Sequence, residues 1–301
     1  MSMHSAVSRF SGHQLVVVTG KGGVGKSAVA AALGRALANF GRRVLVLEVD
    51  PRETAHEMFA LPPSGGRVLE VDSSLFVQNL RATQVLDELV AERLRIGPLA
   101  RRVLESPIYR QFAESGPGLK ELAVLGHALR AIRHEAPGVP AVDVVVLDAP
   151  ATGHGLALLA APQLVADVIE RGPFARLTRE VAELIAASQR SAVAAVTLAE
   201  EMPVSEVLDL ERGLEERLGR GADLLIVNAL YPPFPPGTEA ANDALGDLWR
   251  RRRALNETEL RRLDVRWSGP RVELPLLPYE RGPRLVAELA RRLGQDDEAR
   301  A

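Results

Sequence analysis

The sequence predicts an α/β fold: a mostly parallel, doubly wound sheet covered by helices, with a helical subdomain inserted into it. Three observations carry that expectation. Short apolar runs alternate with helical patterns along most of the chain, the usual sign of a sheet built from βα units. Several of those runs are apolar without alternation, as central strands buried on both faces are. The first run also passes directly into a glycine-rich turn and then an alanine-rich helix, Lys26 to Phe40.

In chain order the candidate strands are Leu15–Thr19, Val44–Val49, Leu75–Asn79, Val142–Leu147, Ala192–Leu198, Leu224–Asn228 and Val272–Leu274. Met1 to Phe10 lacks the charged-then-apolar pattern of a secretion signal and is expected to be a frayed tail. Ala82 to Glu135 breaks the βα rhythm. It holds about three helical stretches separated by Gly97-Pro98, Ser106-Pro107 and Gly116-Pro117-Gly118. Another helical stretch runs from Leu164 to Gln189. We therefore expect one domain over residues 1–301, with residues 82–135 and 164–190 as the inserted helical subdomain. Pro62 to Gly66 and Tyr231 to Gly237 read as loops, and Pro283 to Leu293 as a last amphipathic helix packing on the sheet.

Composition narrows the function. The chain has 301 residues, 47% hydrophobic and 25% charged, ordinary values for a globular protein. A net charge of −2 argues against a dedicated nucleic-acid binder. The run Arg250 to Arg253 reads as a solvated or charge-balanced helix face. There is no cysteine, which excludes disulfides and thiolate metal sites and fits a cytoplasmic location. No apolar run is long enough to cross a membrane. The histidines at 4, 13, 56, 127 and 134 show no metal-ligand spacing.

Gly20-Lys21-Gly22-Gly23-Val24-Gly25-Lys26-Ser27 matches the phosphate-cradling pattern G-x-x-x-x-G-K-[ST]. Glycines let the backbone wrap a pyrophosphate with consecutive N–H groups inward. Lys26 would reach the β- and γ-phosphates, the Ser27 hydroxyl would bind Mg²⁺, and the helix beginning at Lys26 would aim its N-terminus at the phosphates. Only three lysines occur, at 21, 26 and 120, so two of them lie in this loop. Three strand ends add chemistry. Asp50, after Leu45 to Val49, could orient or deprotonate the attacking water, or cap the helix that follows. Asp148, after Val144 to Leu147, is placed to hold Mg²⁺ directly or through water. It leads into Ala149 to Gly155, small residues suited to a loop that changes shape when the γ-phosphate leaves, with His154 either relaying that state or structural. Asn228, after Leu224 to Val227, could bond adenine or form a turn.

The lysine-after-glycine form of the loop resembles the deviant phosphate loop of SIMIBI-class P-loop ATPases. Further stretches resemble the ArsA and guided-entry family within that class: Asp50 to Phe59, Pro117 to Glu121, Asp148 to Pro162, Glu201-Met202-Pro203 and Ile226-Val227-Asn228, in order over nearly the whole chain. The resemblance implies an ATP hydrolase with ATP and Mg²⁺ as ligands. It implies that Gly20, Gly22, Gly23, Val24, Gly25, Lys26, Ser27 and Ala28 cradle the phosphates. Ser27, Asp50 and Asp148 would serve the metal, and Asp50 would activate water. Gly153 and His154 would belong to a second switch, and Asn228, Leu277 and Pro278 would contact adenine. Lys21 would reach the nucleotide of a second subunit, identical or paralogous, and nucleotide state would control binding of a protein client. Family members that use cysteine for arsenite or zinc, or a methionine-rich client groove, are matched poorly here. The chain has no cysteine and four methionines. Two alternatives are an ATP-binding scaffold subunit with little hydrolysis, and a partition- or division-type ATPase.

Overall fold

The computed structural model describes residues 5–49, 53–94, 101–102, 104–107, 110, 118–150, 152–166, 173–233 and 244–295. Eight strands form one sheet: β1 (Leu15–Gly20), β2 (Val44–Glu48), β3 (Leu69–Asp72), β4 (Leu75–Asn79), β5 (Val144–Asp148), β6 (Ser191–Leu198), β7 (Leu224–Leu230) and β8 (Arg271–Pro275). Their order is β3-β4-β2-β5-β1-β6-β7-β8, and every pairing is parallel except β3 with β4. The sheet is α/β and of P-loop NTPase type, as expected. The antiparallel edge strand β3 was not expected: Leu69–Asp72 is half exposed and too polar to read as a buried run. Asp72 closes its hairpin by accepting from the Ser74 N–H and hydroxyl and the Leu75 N–H.

Alternate residues of the strands feed two separate cores. Val16, Val18, Val44, Val46, Val144, Val146, Leu224 and Ile226 face one side with helices α1 (Ala6–Phe10), α2 (Lys26–Asn39) and α9 (Pro283–Gly294). Leu15, Val17, Leu45, Leu47, Val145, Leu147, Leu225 and Val227 face the other. Against them pack residues of α3 (Ala82–Leu94), α4 (Leu119–Ile132), α5 (Thr152–Ala166), α6 (Pro173–Ala186), α7 (Glu201–Leu218) and α8 (Ala244–Arg266). This is the period of two read in three dimensions: successive side chains leave opposite faces, so strands apolar throughout need a cover on both.

Two expectations are corrected. Ala6–Phe10 is a short helix rather than frayed tail: Ser5 caps it by accepting from the Ser8 N–H, and Ala6, Val7 and Phe10 are buried. Three apolar residues on one face found a surface to cover. The stretch after Asp148 is also less of a loop than expected, since α5 already begins at Thr152. Gly155 makes that possible, because a side chain there would collide with the Thr19 hydroxyl at the end of β1. Within the basic run, Arg250, Arg252 and Arg253 pair with Asp247, Glu200 and Glu257. No described helix is long and apolar enough to cross a membrane.

Candidate functional site

β1 and β6 lie side by side, yet the chain leaves β1 toward β2 on one flank and β6 toward β7 on the other. At such a switch point the loops diverge and open a crevice at the carboxyl ends of the strands. A cleft of about 490 Å³ lies at that edge. It is lined by the turn after β1, the ends of β2, β5, β7 and β8, and by the start of α9.

The turn between β1 and α2 forms the floor. Gly20, Gly23 and Gly25 have φ of 154°, 88° and 90°, a region that side chains disfavour. A side chain on Gly20 would strike the Val196 carbonyl, and one on Gly25 the Asn228 amide. Gly22, Gly23, Gly25, Lys26, Ser27 and Ala28 line the cleft, whereas Val24 is buried beneath the turn. Lys26 donates from Nζ to the Lys21 carbonyl at 3.1 Å, which folds its side chain back over the turn. Helix α2 starts here with no side-chain cap and no acid in its first turn, so nothing anionic of its own competes for its N-terminal field. Gly20 lies behind the floor. Lys21, in the same turn, points elsewhere: its Nζ is 2.8 Å from Glu206 Oε1 on α7.

Two carboxylates form the facing wall. Glu48 and Asp148 end β2 and β5 in register with each other, and both are buried and line the cleft. Glu48 accepts hydrogen bonds from the Thr54 N–H and hydroxyl, the Ala55 N–H and the Asn79 side-chain amide. At this strand end the sequence points to Asp50, and the structure adds Glu48 to the cleft wall. The signal that could have found it was an acid in the last residue of an otherwise apolar strand. Asp50 itself lies outside the described residues. Gly153 and His154 fall in the first turn of α5, and the His154 side chain is outside the described set.

The far wall is apolar. Pro275, Leu276, Leu277, Tyr279, Leu285 and Leu289 line it, with Ala229 and Met58. Pro278 does not belong to the wall, although its neighbours on both sides do. Asn228 lines the cleft at the seam between this wall and the floor. Its Nδ2 donates to the Val24 carbonyl at 2.9 Å, so part of its amide braces the turn. Arg281, at the mouth, pairs with Glu57 at 3.5 Å. Among the described residues no group of three or more His, Asp or Glu side chains is arranged to hold a metal ion. Ser27 and Asp148 both line the cleft.

A glycine-shaped anion cradle, a lysine and a carboxylate wall at a switch point define a nucleotide-binding P-loop protein. The comparisons narrow this to one family. The model of the anion-transporting ATPase family matches residues 13–188. ATPase BagA of Mycobacterium tuberculosis is 32% identical over 249 residues, covering 80% of this chain and 72% of that protein. The arsenical pump-driving ATPase of Escherichia coli is 27% identical over 252 residues, 77% of this chain and 42% of that protein. ATPase GET3C of Arabidopsis thaliana is 29% identical over 157 residues, 48% of this chain and 40% of that one. The chain belongs to the ArsA-like, anion-transporting ATPase family of ATP-binding proteins.

Proposed function

We propose that this protein is a Mg²⁺-dependent ATP hydrolase that works as a nucleotide-switched dimer and binds a protein partner or client. The observation that supports it most is the juxtaposition of Lys26 and Ser27 on the floor with the Asp148 carboxylate across the same cleft. Phosphoryl transfer needs positioning and charge stabilisation more than covalent help, and this arrangement supplies both. The backbone from Gly22 to Ser27 would hold the phosphates, and Lys26 would offset the charge that develops on the γ-phosphoryl oxygens. Mg²⁺, when bound, would neutralise charge shared by the β- and γ-phosphates, with Ser27 and Asp148 holding it. Asp50 would orient the attacking water and accept its proton. The apolar wall at Leu276, Leu277 and Tyr279 would take the base, with Asn228 beside it.

Lys21 would complete the site of a second subunit, identical or paralogous. A chain without cysteine fits a cytoplasmic setting and disfavours control by arsenite or a thiolate-bound zinc. The test is phosphate release by the purified chain with Mg·ATP, alongside its mass by light scattering. Turnover that saturates with ATP and rises with protein concentration supports the reading. No turnover at any concentration points instead to an ATP-binding scaffold subunit.

A further inference from the structure

We propose that Glu48 is a positioning residue for ATP hydrolysis: it tethers the segment after β2 to the wall of the nucleotide cleft. The inference rests on the hydrolase reading above. The chain leaves the sheet at Glu48 and meets the same carboxylate again at Thr54 and Ala55. The Thr54 N–H lies 3.0 Å from both carboxylate oxygens and the Ala55 N–H 3.2 Å from both, and the Thr54 hydroxyl donates to Oε1. From β4, Asn79 Nδ2 donates to Oε2 at 3.1 Å. Two further hydrogen bonds fasten the same corner: the Leu80 N–H donates to the Glu48 carbonyl at 2.7 Å, and the Asn79 N–H to the Ser64 hydroxyl at 3.3 Å.

Four donor groups converge on an acceptor with about four lone-pair sites, so the carboxylate is saturated by its own chain. That separates Glu48 from a direct metal or proton role and fits an anchor. The anchored residues matter to the cleft, since Thr54 lines it. In sequence, Asp50 lies between the two ends of the tether. The charge is required as well as the shape. Every partner is a donor, so Glu48→Gln would turn an NH₂ group toward donors on at least one side.

The experiment compares wild type with Glu48→Gln, Glu48→Gln/Asn79→Asp and Thr54→Val. It reads single-turnover hydrolysis at saturating Mg·ATP, the Kd of a fluorescent ATP analogue, Tm, and amide exchange at Thr54 and Ala55. Glu48→Gln should keep the Kd within about threefold and slow hydrolysis on the order of 10- to 100-fold, the scale of a small misplacement of reacting groups. Protection at Thr54 and Ala55 should fall with it. The double variant restores the pair with Asn79 in reversed polarity, so Tm should recover while hydrolysis stays slow. Thr54→Val keeps the test open if the first variant does not fold, and it should show a smaller loss of the same kind. Hydrolysis within twofold of wild type in both single variants overturns the proposal. So does recovery of Tm and rate together in the double variant, which would assign the effect to the strut with Asn79. An inert wild type would sink the hydrolase reading instead. Loss of protection at Thr54 and Ala55 in Glu48→Gln would then still establish the tether, and unchanged protection would overturn it.

Discussion

Lys21 and Lys26 are five residues apart in one glycine-rich turn, and they go to opposite places. Lys26 lies over the turn and lines the cleft. Lys21 turns outward to Glu206 on α7, with about 30% of each side chain exposed. Two lysines in such a loop therefore need not serve one phosphate. Lys26 lines the cleft, and Lys21 pairs with Glu206 beside it.

The largest effect expected is from Lys26→Ala, which should weaken ATP binding or turnover by about 100-fold or more, read by calorimetry and phosphate release. Equal losses from Lys21→Ala and Lys26→Ala would break the contrast between the two.

A buried group sets a baseline for these half-exposed ones. His127 on α4 is held to a pKa of about 4 by burial and then by the nearby Arg130 charge, and its ring meets Gln78 Oε1 at 3.0 Å. The unfolded chain, at about 6.5, takes up the proton first. Stability from this group is therefore full above about pH 6.5 and is lost as pH falls toward 4, by roughly 3 kcal/mol in all. Urea titrations of wild type and His127→Gln at several pH values between 7 and 4 should show a shallower slope in the variant.

Gly25→Ala should cost about 1–3 kcal/mol of stability, from a left-handed φ and the collision with the Asn228 amide. A urea midpoint unchanged from wild type would show that the turn can relax around both lysines.

Lys21→Ala should leave the ATP Kd within about twofold and reduce turnover by about tenfold, roughly 1.4 kcal/mol. Glu206→Gln should do least. An ion pair this exposed is worth about 0–1 kcal/mol, so turnover should change by no more than about fivefold, and less as salt rises. A larger change would mean that Glu206 does more than hold Lys21 beside the cleft.

Some of the fold was legible because its signal is local. The apolar runs become β1, β2 and β4 to β7 within a residue or two at each end, since a mostly buried strand demands them, and β8 is matched as closely although its burial alternates along the strand. The edge strand β3 was not legible, because one strand at a sheet edge needs no apolar face and is defined by its partner. Helix α1 was missed for a related reason: five residues form a helix only when tertiary burial of Ala6, Val7 and Phe10 holds them. In the site, Lys26, Ser27, Asp148 and Asn228 come together at one cleft. The tether at Glu48 was not legible, because a strand-end acid does not announce its partners, which are at Thr54, Ala55 and Asn79.

By itself, then, the chain determined the turn, its glycines and the strands that carry acids at their ends. Backbone sterics and side-chain period are properties of adjacent residues, so spacing alone specifies them. Only the tertiary structure decided that Lys21 meets Glu206, that Asn228 braces the turn across 204 positions, and that Glu48 is tied by Thr54. Hydrogen bonds and ion pairs act over a few ångströms in space, and separation along the chain does not measure that distance.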